Sequence, residues 1–81
     1  MKTISKSLFS TCDIFLGCCL LCFNFKIEAI DKNNTQKVQF YFEKNNELDE
    51  AINAYWRRDL RIEPQLFASN LKSIKNRIYS N

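Results

Sequence analysis

From Leu8 to Phe25 the chain is nearly continuous apolar sequence, with polar side chains only at Ser10, Thr11, Asp13 and Asn24, and all four cysteines lie inside it. Beyond it the period drops to two. Phe25, Ile27 and Ala29 alternate with Lys26 and Glu28, while Val38, Phe40 and Phe42 alternate with Lys37, Gln39, Tyr41 and Glu43, which predicts two half-buried strands. The turn-forming run Asp31 to Gln36 joins them as an antiparallel hairpin. Ser7 to Ser10 is a weaker candidate for a third strand.

The period then lengthens. Asn45 and Asn46 cap a predicted helix over Glu47 to Arg58, with Glu47, Asp49 and Glu50 in its first turn and Arg57 and Arg58 in its last, as the helix dipole favours. Its buried stripe reads Leu48, Ile52, Tyr55 and Trp56. Pro64 suits a first helical position with Glu63 before it as cap, and a further helix runs to about Tyr79 on a stripe of Phe67, Leu71, Ile74 and Ile78.

The apolar N-terminal stretch has two competing meanings. A signal peptide would use Lys2 and Lys6 as its positive region, and Gly17-Cys18 would then be a lipidation point; a secreted or lipid-anchored protein follows if residues 1–23 are read so. Asp13 breaks the apolar run that this reading needs. Ile14 to Phe23 is also only about ten residues, against roughly twenty for a bilayer span. Ser10, Thr11 and Asp13 instead suit a helix start, and Asn24 suits the left-handed residue that closes one, predicting a helix from about Cys12 to Phe23. Projected at about 100° per residue, Cys12, Phe15, Leu16, Cys19, Leu20, Cys22 and Phe23 share its buried face. Ile14, Cys18 and Leu21 lie beyond, and only Asp13 and Gly17 look wettable.

Eighty-one residues, 46% of them hydrophobic with a single glycine and a single proline, specify one small ordered domain. Residues 1–7 read as a flexible N-terminal segment and 8–81 as the domain. The expected class is α+β: a two- to three-stranded antiparallel sheet with three packed helices in the order (β)αββαα. Twelve Lys and Arg against nine Asp and Glu leave a net charge of +3, too weak a field for a dedicated nucleic-acid binder. There is no histidine, which removes the usual general base and the commonest metal ligand.

The order of these pieces, with Phe9-Ser10-Thr11-Cys12-Asp13 leading a helix, Val38 to Phe42, Ala54-Tyr55-Trp56 and the ending Leu71 to Tyr79, resembles a family of small bacterial and phage domains of unknown function. The likeness covers residues 8–80. It implies a cytosolic α+β domain without assigning an activity. The resemblance also puts glycine at the position of Asn24 and small residues such as alanine at the cysteines.

Candidate chemistry is correspondingly thin. Cys19-Leu20-Leu21-Cys22 has the spacing of a redox pair or half a zinc site, but an apolar helix raises thiol pKa, and the cysteines read as small core residues. Glu43, Glu47, Asp49 and Glu50 read as helix-start charge, and Tyr55-Trp56 as core although such a pair suits an interface. No catalytic residue, metal or cofactor is expected. Two functional readings follow. In the first, the domain binds a protein partner or a second copy of itself through spare apolar surface at Ile14, Cys18 and Leu21 together with Tyr41 on the exposed hairpin face. In the second, Arg57, Arg58 and Arg61 join Lys72, Lys75 and Arg77 in a nucleic-acid surface. No membrane contact is expected, and the location is read as cytoplasmic.

Overall fold

The computed structural model describes residues 7–34 and 36–79. Its elements are β1 (Leu8–Thr11), α1 (Ile14–Cys22), β2 (Ile27–Asp31), β3 (Gln39–Glu43), α2 (Asn46–Trp56) and α3 (Pro64–Tyr79), an α+β fold in the expected order. The sheet is antiparallel in the order β1-β3-β2, so the hairpin strand β3 is central and the N-terminal strand completes the sheet. Of the segment expected to be flexible, residues 1–6 lie outside the described residues. Ser7 is tied down: its carbonyl accepts the Lys44 N–H at 2.9 Å.

Register fixes which side chains face inward. Phe9 pairs with Phe42 and Thr11 with Phe40, so these four share the inner face, while Ser10 and Tyr41 pair on the outer one. In β2 the strict alternation fails. A bulge between Ile27 and Ala29 pairs Ile27 with Phe42 and Ile30 with Phe40, so the inward residues are three apart and Ala29 faces out, exposed.

The helix ends follow local hydrogen bonding. Asp13, the N-cap of α1, accepts the Phe15 and Leu16 N–H groups on Oδ1 at 3.0 and 3.3 Å, and the Thr11 hydroxyl accepts the Asp13 N–H. The helix therefore starts later than the sequence suggests, because Thr11 still belongs to the sheet. Asn45 caps α2 through the Leu48 N–H, and Glu63 caps α3 through the Gln65 and Leu66 N–H groups. Both α1 and α2 end in Schellman motifs. Asn24 takes φ 70°, with Phe25 N–H on the Leu20 carbonyl; Arg58 takes φ 64°, with Asp59 N–H on the Ala54 carbonyl. Arg57 and Arg58 thus lie past α2 rather than in its last turn.

The core is Leu16, Cys18, Leu20, Phe40, Phe42, Leu48 and Ile74, all essentially inaccessible. One helix organises it: α1 lies against the inner face of the sheet and packs against both α3 and α2, while those two share no comparable interface. Gly17, expected at the wettable strip, is buried where a Cβ would meet Ile74 Cδ1 and the Phe40 ring, each at 3.8 Å. Conversely Cys12, Phe15 and Phe23, expected inside, are exposed. The helix is so evenly apolar that its sequence leaves its orientation open. Trp56 is a second correction: placed on the buried stripe of α2, it is 65% exposed, and Ala51 joins Leu48, Ile52 and Tyr55 instead.

Two outcomes test this packing. Because 3.8 Å is ordinary contact distance, Gly17→Ala fits without repacking and removes a helix-interior glycine. It should raise stability by about 1 kcal/mol in denaturant melts, and a loss would show that α1 sits closer to Phe40 than described. Phe40→Asp places an unpaired charge at a site 1% exposed. Its cost, several kcal/mol, matches the whole stability of a domain this size, so cooperative unfolding should vanish from its thermal circular-dichroism trace.

Candidate functional site

Packing shapes the surroundings of Cys18 and Cys19, the two buried cysteines. All four are free thiols. Cys18 is fully buried and its Sγ donates to the Phe67 carbonyl at 3.2 Å, while the Asn70 side-chain amide donates to Cys22 Sγ at 3.3 Å, so both sulfurs join α1 to α3. Burial, with smaller contributions from Cys22 and Cys19, pushes the Cys18 thiol up to about 12. Burial raises Cys19 too, helped by Cys22 and Asp13. Both shifts oppose the thiolate form that nucleophilic attack or metal ligation uses. Among the described residues no three His, Cys, Asp or Glu side chains are placed to hold a metal ion.

The surface expected at Ile14, Cys18, Leu21 and Tyr41 does not assemble. Cys18 has no accessible area, Ile14 and Leu21 are half-buried against the core, and Tyr41 lies on the outer sheet face, away from them. The cause is the rotation of α1 noted above: turning Gly17 inward carries Cys18 with it.

The basic residues also fail to converge. Arg57 Nε donates to Asp59 Oδ2 at 2.9 Å, Arg61 Nη1 donates to the neighbouring Leu60 carbonyl, and Arg58 faces a cavity described below. Lys72 and Lys75 line a separate depression on α3 with Leu71 and Asn76. At 1.5 Å per residue, Lys72 and Arg77 lie on the order of 12 and 20 Å along α3 from its start near Arg61. The carbonyl of Arg77 is occupied by Lys32 Nζ at 2.8 Å, a cation at the negative end of the helix. Of the acidic cluster, Asp49 holds Lys44 at 2.8 Å in an exposed pair worth no more than about 1 kcal/mol.

What the structure does gather is an aromatic corner where α1 begins, α2 ends and α3 begins. Asp13 links two of these: Oδ1 caps α1 and Oδ2 accepts the Tyr55 hydroxyl at 3.2 Å. Trp56 stands edge-on to Tyr55 with ring centres 5.0 Å apart, and Phe15 stacks on Phe67 at 6.4 Å with planes 13° apart. Phe15 is 53% exposed. Between these pairs opens a cavity of about 480 Å³. Cys19, Tyr55, Leu60, Ile62, Pro64 and Phe67 line it, and among the described residues Arg58 is the only charged one that does. Burial, then the Asp13 charge and hydrogen bond, push the Tyr55 phenol up to about 12. Sequence reasoning names Tyr55-Trp56 as an aromatic pair and Arg58 among the basic residues. It missed the cavity, because Cys19, Leu60, Ile62 and Phe67 carry no pattern that brings them together.

With this geometry in hand, comparison with known proteins gives one match: the family model of a domain of unknown function, DUF5659, covers residues 6–80. The chain belongs to that family. No curated protein and no solved structure matches it. No helix among the described residues of this DUF5659 domain is long and apolar enough to cross a membrane.

The thiol burial has a pH consequence. A group whose pKa is raised on folding contributes stability that is intact below its unfolded value and is lost as pH rises toward the folded one. For Cys18 that window runs from 9.0 to about 12, and for Tyr55 from 10.0 to about 12. Urea midpoints should therefore hold from pH 7 to 8.5 and fall above pH 9, and the fall should be shallower in Cys18→Ala.

Proposed function

We propose that this DUF5659 domain is a non-catalytic, cytoplasmic interaction module that docks a protein partner on the corner formed by Trp56, Tyr55, Phe15 and Phe67. The observation that carries the reading is Trp56 itself: the chain's one tryptophan is 65% exposed at a helix end, in edge contact with Tyr55, while Phe15, stacked on Phe67, is 53% exposed. Tryptophan, tyrosine and arginine are the side chains that dominate measured interface energies, and here all three are adjacent in sequence as Tyr55, Trp56 and the pair Arg57-Arg58. A domain of this size gains nothing in stability from leaving an indole in water.

The absence of catalysis is supported by the ionisable groups lining the cavity. The Cys19 thiol and Tyr55 phenol are held protonated by burial, and the third is an arginine, so none exchanges a proton near neutral pH. Four unpaired thiols, two of them buried beneath other elements, suit a reducing compartment and support the cytoplasmic placement. The nucleic-acid reading is not favoured, since the six basic residues named for it are divided between the end of α2 and the far half of α3.

A photo-crosslinking amino acid placed at position 56 in cells should give a discrete protein adduct that disappears when Phe15→Ser is added, while the same probe at exposed Glu50 gives none. Sedimentation of the purified chain distinguishes a second copy from a different partner. Trp56→Ser should leave the melting midpoint unchanged, within about 0.5 kcal/mol. A strictly monomeric protein with no adduct at position 56 would sink the proposal.

A further inference from the structure

Arg58 combines a left-handed backbone, an exposed guanidinium and a place on the wall of a cavity. It holds a left-handed backbone at φ 64°, where the Schellman motif favours glycine and a Cβ is a strain. Its guanidinium has no hydrogen-bond or ion-pair partner among the described residues, although Arg57 beside it is paired with Asp59 and Arg61 bonds the Leu60 carbonyl. Among the described residues it is also the one charge on a largely apolar cavity of about 480 Å³ that Tyr55 and Cys19 line as well, a size ordinary for small-ligand sites. Strain kept at a residue with no structural partner, on the wall of a cavity, is the signature of a position held for a ligand.

The nearby carboxylates do not compete for it. Asp13 is committed to the α1 N-terminus and the Tyr55 hydroxyl, Asp59 to Arg57, and Glu63 to the first N–H groups of α3. An anion entering the cavity therefore meets an unneutralised guanidinium, whose fork suits a carboxylate or sulfonate, while Leu60, Ile62 and Phe67 offer cover to an apolar body.

The structure assigns this cavity to a small amphipathic anion, an aromatic or branched aliphatic body in the apolar pocket with one anionic group on Arg58. This goes beyond the partner reading, which needs only the exposed aromatic corner.

Two dyes of the same ring system test it. Titrated into the full chain at low salt and followed by fluorescence, 8-anilinonaphthalene-1-sulfonate should bind at least tenfold more tightly than uncharged N-phenyl-1-naphthylamine. Arg58→Gly relieves the backbone strain, so it should melt no lower than the wild type, yet it should lose that tenfold preference while keeping the neutral dye. Ile62→Trp, which fills the cavity, should weaken both dyes, and Lys75→Gln, on the separate α3 depression, should change neither. Equal affinity for the two dyes, or a preference that survives Arg58→Gly or disappears with Lys75→Gln, overturns the assignment. Binding of neither dye overturns it as well, and leaves the crosslinking result at Trp56 to decide the partner reading by itself.

Discussion

A nine-residue helix without one charged side chain cannot turn any side to water at no cost, and the rest of this fold is the cover for it. Phe40 and Phe42 close α1 from the sheet, Ile74 from α3, and Leu48 from α2. At Gly17, α1 crosses between Phe40 and Ile74 with room left for a Cβ at ordinary contact distance from both. The thiols of Cys18 and Cys22 serve the same closure, since each is small enough to let α3 approach and polar enough to bond with it. For Cys18 the burial that makes this contact also disfavours the thiolate.

The side of α1 left open is where the functional argument lies. Phe15, near the N-terminal end of α1, stays 53% exposed although it stacks on Phe67, and α2 ends on Trp56, which is 65% exposed. Asp13 holds the corner together by serving two helices with one carboxylate. The same residue is the one whose charge argued against an export signal in the sequence, so a single side chain separates the two meanings of the N-terminal stretch and then joins α1 to α2.

Much of the fold was legible because its signals are periodic and local. The stripe of α3, the Glu63-Pro64 start and the Asn24 stop all rest on spacing or on one residue's backbone preference, and each is found as read, while the hairpin pairs as expected with its first strand shifted to Ile27–Asp31. What escaped depends on longer-range geometry. Nothing in a uniformly apolar helix marks which side meets α3, so Cys18 and Phe15 exchanged places. Ala29 was misread because a bulge cannot be seen in a pattern of alternation, only in the register of the partner strand. Trp56 sits at the right helical angle but one position too late for α1 to reach it. The cavity draws on α1, α2, the connector and α3 at once, and Arg58 gives no sequence warning of its left-handed backbone because arginine is not a residue that seeks it.

The placement of α1 near the start of the chain has a consequence for synthesis. Its cover arrives late: Phe40 follows in the central strand, and Ile74 comes roughly 50 residues after the helix ends, which at 5–20 residues per second is a delay of several seconds. During that interval the apolar segment Ile14–Cys22 lacks its cover, and nine residues are too few to hold a helix unaided. The helix and its shelter therefore have to form together. The finished protein depends on the last helix returning to the first.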